Sequence, residues 1–439
     1  MRLSDLEGRR VGIWGLGREG RAIASVLARR APGATPVLVD EAGAPDLPGA
    51  GTDPAALLGC EVVVRSPGIS RYREDALRLT AAGVTVTTGT NLWFGEHPGA
   101  RAIGVTGSKG KSTTSALIAH LATAAGRRVR LAGNIGVPLA DLIDTPDGDV
   151  DLWVLELSSY QTSDLDASPP VGVLLNLYRE HTDWHGTPAR YHDDKLNLFA
   201  HRADMASVLN AADPEVRRRG AGLPHPRWFA DPAGFDVAPE GITRAGAPFA
   251  ARGRVGVPGD HNLLNACAAL TALEAAGVAV DGLGDALAGF RPLAHRLEPV
   301  AERGGVLWVD DSIATIPEAT VAAVRALAPR PVVVLVGGHD RTQDYAPLAE
   351  HVAAEPRIAA VIGLPGNGPR ILDRLGAEGV TIPLAMADGM ADAVARAAAL
   401  VPAGGAVLLS PGAPTGDDYR DFTVRGEAFA AAVAALPGG

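Results

Sequence analysis

The segment GVTGSKGKST, residues 104–113, lies between a short apolar run and the helical pattern STTSALIAHLATAAG (112–126). A glycine-rich turn between strand and helix, ending in Gly-Lys-Ser, is how a chain wraps polyphosphate. Backbone N–H groups of 107–112 are expected to cradle the phosphates. Lys111 would reach the outer phosphates, and Ser112 would hold Mg²⁺. The common P-loop places glycine six positions before the lysine, where this chain has Val105. The pattern is instead TG-x-x-GK-[ST], Thr106 to Ser112. An unliganded glycine turn is the plain alternative, but the strand–loop–helix context favours a nucleoside triphosphate.

A second glycine loop, GLGREG (15–20), follows the apolar VGIWG and opens the helix REGRAIASVLARR. Asp40 stands about 20 residues beyond, as a dinucleotide fingerprint asks. By itself this loop points to a nicotinamide or flavin enzyme, or to a Rossmann-like turn with another ligand or none. Further strand candidates are 61–66, 84–89, 152–157, 171–177, 305–310, 331–338, 358–364 and 406–412. Their alternation with alanine-rich helical patterns, among them 261–277 closed by Gly277, predicts an α/β architecture with parallel sheets. GEHPGA (95–100) breaks the chain, and segment 211–258 holds small strands or irregular insertions. Three domains are expected, at 1–96, 97–291 and 292–439.

At 439 residues the chain exceeds one ordinary core. A net charge of −10 argues against bulk attraction to nucleic acid or anionic membrane. Cys60 and Cys267 fit no zinc or redox spacing and are expected to be buried thiols. No signal-peptide pattern opens the sequence, and no apolar run reaches the ~18 residues of a membrane span. A cytoplasmic monomer with no nucleic-acid or membrane partner is expected.

Further segments follow the loop in order: AGNIGVPL (132–139), LELSSYQ (155–161), LNLYREHTDWHG (175–186), YHDDKLNLF (191–199), GDHNLLNA (259–266), AHRLE (294–298), DDSIAT (310–315) and, at 409–429, LSPG…DFTVRGEAF. Over nearly its whole length the chain resembles the Mur ligases, and within them the members that add glutamate to UDP-N-acetylmuramoyl-L-alanine. The resemblance implies an N-terminal Rossmann-like domain for the UDP-sugar, a central P-loop ATPase domain and a C-terminal Rossmann-like domain. GLGREG would then serve the uridine nucleotide through Gly15, Leu16 and Gly17, with SPGI supplying Ser66, Pro67 and Gly68. A folate-extending ligase of the same superfamily fits these two loops poorly. An NAD-dependent oxidoreductase becomes the distant alternative.

By the same resemblance ATP activates the substrate carboxylate as an acyl phosphate, which the glutamate amine attacks. The nucleotide would contact Thr106, Gly107, Ser108, Lys109, Gly110, Lys111, Ser112 and Thr113, with Asn262, Arg296 and Asp311. Lys111, His181 and Lys195 are the implied catalytic residues. Ser112, Glu156 and His181 are the implied ligands of two magnesium ions. Asn134 would touch substrate and phosphate. Lys195 matches a lysine that the family carbamylates; a charge on a helix surface is its plain reading. A zinc site from His181, Asp183, His185 and His192 is the rival use of those side chains.

One segment departs from the pattern of enzymes that add D-glutamate. They carry a lysine in a DSKAT-like run, where this chain has Ile313 in DSIAT. The SPGAPTGDDYRDF run (410–422) is also altered, although Thr415 and Phe422 keep the hydroxyl and aromatic expected at the glutamate. Losing an ammonium that pairs with a carboxylate is costly unless another cation, such as Arg341 or Arg420, replaces it. L-glutamate is therefore favoured over D-glutamate, in line with a related L-glutamate-adding subgroup.

Overall fold

In a computed structural model, the described residues are 1–436 apart from 45–46, 135–136, 179, 181, 257–258, 292–293, 341–342 and 417. The chain divides into two compact units. One holds Met1–Gly256 and His261–Phe290, the other Val257–Asp260 and Arg291–Gly439.

The larger unit contains two parallel sheets. The first has four strands in the order Thr35–Val39, Arg10–Trp14, Val62–Arg65, Thr85–Thr87. The second has six, ordered Pro226–Phe229, Ala206–Asn210, Val171–Leu174, Ala102–Thr106, Leu152–Glu156, Val129–Gly133. Strands covered by helices on both faces carry continuous apolar runs, and Val62–Arg65, Ala102–Thr106 and Leu152–Glu156 are buried throughout. The helix Arg18–Arg30 turns Ala22, Ile23, Val26 and Leu27 inward, at the spacing that makes one helical face. Segment 211–258 supplies the edge strand Pro226–Phe229 and a three-stranded antiparallel sheet, Phe235–Ala238, Gly241–Arg244 and Ala247–Ala251.

The smaller unit holds a six-stranded sheet ordered Glu298–Arg303, Val306–Asp310, Ala406–Leu409, Val332–Val336, Ile358–Gly363, Leu384–Met386. Only the first pairing, to Glu298–Arg303, is antiparallel. The expected alternation is therefore present in both units. Cys60 and Cys267 are free and buried, as expected. No described helix is long and apolar enough to cross a membrane.

Candidate functional site

Parallel α/β sheets gather their ligands beyond the carboxyl ends of the strands. The expected phosphate loop occupies that place, between strand Ala102–Thr106 and helix Lys111–Ala124. Gly110 caps the helix with φ +85°, a left-handed conformation that costs a residue with a side chain. A Cβ there would also stand 2.5 Å from Asn265 Oδ1. The Lys111 ammonium folds over the loop, donating to the carbonyls of Gly107 and Ser108, each at 3.0 Å.

Asn176, a polar residue at the end of the apolar run VGVLLNL, grips the loop from the side. Its Oδ1 accepts from Lys109 N–H at 2.7 Å, its Nδ2 donates to Lys109 O at 3.1 Å, and its carbonyl accepts from Ser108 N–H at 3.0 Å. Two of the N–H groups expected to cradle phosphate are thus engaged by Asn176. The Ser108 hydroxyl accepts from Tyr178 N–H and from Tyr191 OH, both at 2.9 Å. Lys109 pairs with Glu180 at 2.7 Å.

Glu156 ends its strand almost wholly buried. Asn134 Nδ2 donates to its Oε1 at 2.8 Å, which brings two expected site residues together. Its Oε2 is buried and has no hydrogen bond among the described residues. A buried carboxylate oxygen without a donor is costly, and a hard divalent cation satisfies it. The donor set thus fits the expected magnesium, with Ser112 on the adjoining helix turn. His181 lies outside the described residues.

Lys195 is 1% exposed, which rules out the surface-charge reading. Its Nζ donates to Gly107 O at 3.0 Å and lies 4.6 Å from the Tyr191 ring centroid. Burial, with the Lys111 charge beside it, pushes this ammonium well below the usual lysine range. An unprotonated amine is what carbamylation needs.

Of the zinc alternative, His181 and the Asp183 side chain lie outside the described residues, and the other two histidines have separate partners. His192 Nε2 lies 3.1 Å from Tyr178 O, whereas His185 is held between Asp194 and Ser159.

At the first sheet, Gly15–Gly17 and Ser66–Gly68 adjoin, and Ser66 Oγ donates to Gly15 O at 3.2 Å. A Cβ on Gly20 would fall 1.9 Å from Gly15 O, so the helix can approach the turn only through glycine. Asp40, which the dinucleotide reading would give to a ribose, accepts from Leu16 N–H at 2.6 Å and so braces its own loop.

In the smaller unit, Asp311 is buried and accepts from Ser410 Oγ at 2.8 Å and Leu297 N–H at 3.2 Å. Burial pushes its carboxyl up to about 7, against the opposing charge of Arg296. Ile313 donates its N–H to His295 O, and Phe422, at the start of helix Phe422–Ala434, accepts from Ser312 Oγ at 2.8 Å. Thr415 is half-buried on the loop after Ala406–Leu409. Of the cations weighed for the place of lysine, Arg341 lies outside the described residues, and Arg420 is exposed and paired with Asp421 at 3.0 Å. The sequence reading passed over Arg425, which is buried and donates to Ser312, Gly337, Ala413 and Pro414. It ties three loops together at the carboxyl end of this sheet. Asn262, on helix Asp260–Ala275, is buried and accepts from Asn265 Nδ2 at 3.1 Å.

Comparison with known proteins agrees with this geometry. Residues 105–273 match the Mur ligase middle domain, and residues 295–413 match the Mur ligase glutamate ligase domain. The chain is 44% identical to a UDP-N-acetylmuramoyl-L-alanine–L-glutamate ligase of a Micromonospora species, over 99% of this chain and 98% of the relative. It is 41% identical to the protein of that name from Xanthomonas campestris pv. campestris, over 100% and 99%. Among solved structures it is similar in fold to MurF ligase from Thermotoga maritima in complex with ADP, with TM-score 0.61 and 20% identity over 98% and 96% of the chains. UDP-N-acetylmuramate-alanine ligase MurC from the same organism gives TM-score 0.63 at 16% identity, over 98% and 100%. Full-length identity to curated relatives, joined to the phosphate loop, Glu156 and Lys195, settles the family: this chain is a Mur ligase.

Proposed function

We propose that the chain is an ATP-dependent ligase that joins L-glutamate to UDP-N-acetylmuramoyl-L-alanine, releasing ADP and phosphate, in the cytoplasmic synthesis of peptidoglycan precursors. The observation that carries this reading is full-length similarity to relatives named for that reaction, at 41–44% identity, in a chain with Ile313 where a D-glutamate site carries lysine.

A carboxylate is a poor acyl donor, so the substrate carboxylate takes the outer phosphoryl group of ATP. The glutamate amine then attacks the acyl phosphate, forming the amide and expelling phosphate. Positioning and charge neutralisation dominate such a transfer. Lys111 turns from the Gly107 and Ser108 carbonyls to the phosphoryl oxygens, and Asn176 keeps the loop in shape for them. Ser112, Glu156 and His181 would hold magnesium, which when bound offsets phosphate charge. Lys195, whose charged form burial disfavours, would carry the carbamate. Gly15–Gly17 and Ser66–Gly68 bind the UDP-sugar, Asn134 meets the substrate beside Glu156, and Asn262, Arg296 and Asp311 bind the nucleotide. Thr415 and Phe422 serve the amino acid. The domain limits 1–96, 97–291 and 292–439 belong to the same proposal.

The test is phosphate release with ATP, magnesium, UDP-N-acetylmuramoyl-L-alanine and glutamate, omitting each in turn. Release that needs all of them supports the reading. Release without the sugar nucleotide, or none with the full set, overturns it.

A further inference from the structure

A chain of four hydrogen-bonded side chains, three of them buried, runs through the larger unit. Tyr72 OH donates to Asp194 Oδ1 at 2.6 Å, and Asp194 Oδ2 meets His185 Nδ1 at 2.5 Å. His185 Nε2 lies 3.0 Å from Ser159 Oγ. A carboxylate accepts from Nδ1–H, so Nε2 is left to accept from the Ser159 hydroxyl. His185, Ser159 and Asp194 are all buried, and Trp184 and Tyr160 stack beside them with ring centroids 4.7 Å apart.

The ends of this chain fall at meaningful places. Tyr72 belongs to the loop that begins with Ser66–Gly68, and two more bonds tie that loop to the same segment. Trp184 Nε1 donates to Gly68 O at 3.2 Å, and Ser70 Oγ donates to Trp184 O at 2.7 Å. Ser159 opens the helix that follows Glu156, with two residues between them. Asp194 precedes Lys195 on helix Pro188–Leu196.

We infer that Asp194 and His185 are positioning residues of the ligase, joining the sugar-nucleotide loop to the helix of Lys195 and to the strand end of Glu156. Buried hydrogen bonds of this kind have few alternative arrangements, since breaking one strands a polar group. A shift of the 66–72 loop on binding its ligand therefore moves Asp194 with it, and Asp194 moves the residue next to Lys195. His185 and Asp194 touch no reacting atom in this scheme.

The inference rests on the ligase reading, and the two are tested separately. Wild-type turnover tests the reading; the ratio of variant to wild type tests the relay. Tyr72→Phe and Ser159→Ala remove the two end bonds with little loss of volume. Each is expected to lower kcat by about tenfold while KM for ATP stays within about twofold, the loss expected for one hydrogen bond to a buried charged or polar group. Because both act through one chain, the double variant falls no further than the weaker single one. Multiplying effects, or singles with wild-type kcat, overturn the inference. Should the wild type prove inactive, the ligase reading falls, and the relay is judged by proton NMR. A downfield His185 Nδ1–H resonance that is lost in Asp194→Asn and moved by both Tyr72→Phe and Ser159→Ala supports it. A resonance unmoved by either end variant overturns it.

Discussion

Lys111 and Lys195 share one acceptor: each ammonium nitrogen lies 3.0 Å from the Gly107 carbonyl oxygen. Burial, with repulsion from the Lys111 charge on the same carbonyl, drives Lys195 toward its neutral form. The pair predicts that each lysine is intolerant of substitution, for a different reason. Lys111→Ala should lower kcat by about a hundredfold or more, the scale for removing a charge that stabilises the transition state. Lys195→Arg should fail equally, because a guanidinium stays charged and cannot carry a carbamate. Phosphate release by purified variants checks both, and a Lys195→Arg enzyme with wild-type kcat contradicts the role given to Lys195.

Asn176 predicts a defect centred on the nucleotide. Asn176→Ala deletes both side-chain bonds to Lys109 and leaves its part-buried backbone groups without those partners. The expected result is a rise of about tenfold in KM for ATP, with KM for the sugar nucleotide within about twofold, on a cost of about 1–3 kcal/mol. Equal changes in both constants would mean general loosening instead.

Gly110→Ala tests the loop's conformation. The methyl group meets a left-handed backbone and, at 2.5 Å, Asn265 Oδ1. A loss of stability of about 1–3 kcal/mol by urea denaturation is expected, with nucleotide binding weakened as well. A variant as stable as wild type with unchanged ADP affinity contradicts the geometry.

Asp311 predicts a pH dependence of stability. Its carboxyl is raised from 3.8 to about 7, so between those values the folded chain binds a proton that the unfolded chain lacks. Its contribution is therefore complete below about 4 and is lost as pH rises through about 7, by up to about 1.4 kcal/mol per pH unit. Asp311→Asn should flatten that part of the stability profile and gain on wild type as pH increases. Parallel profiles between pH 4 and 7 would refute the assignment.

Much of this was legible in the sequence because buried parallel strands must be apolar throughout. VGIWG, EVVVRS, LWVLEL and PVVVLVGG all announce themselves that way, and the two glycine loops sit where such strands give way to helices. The strands Val129–Gly133, Glu298–Arg303 and Leu384–Met386 were missed, each a sheet edge with mixed burial, and so was the short interior strand Ala206–Asn210. Within the site, Glu156 stood out as a lone charge at the end of an apolar strand. Asn176 gave a similar but weaker sign in VLLNLY. The Tyr72–Asp194–His185–Ser159 chain gave none, because residues 72 and 159 meet the 185–194 segment only through the fold. Lys195 had two readings, a helix-surface charge and, by resemblance, the carbamylated lysine, and its burial removes the first.

The most direct measurement of the central claim is phosphate release with UDP-N-acetylmuramoyl-L-alanine and each glutamate enantiomer in turn. Turnover is expected with L-glutamate, giving a product heavier by one glutamyl residue, with D-glutamate at background. Turnover with D-glutamate and none with L-glutamate would contradict the claim.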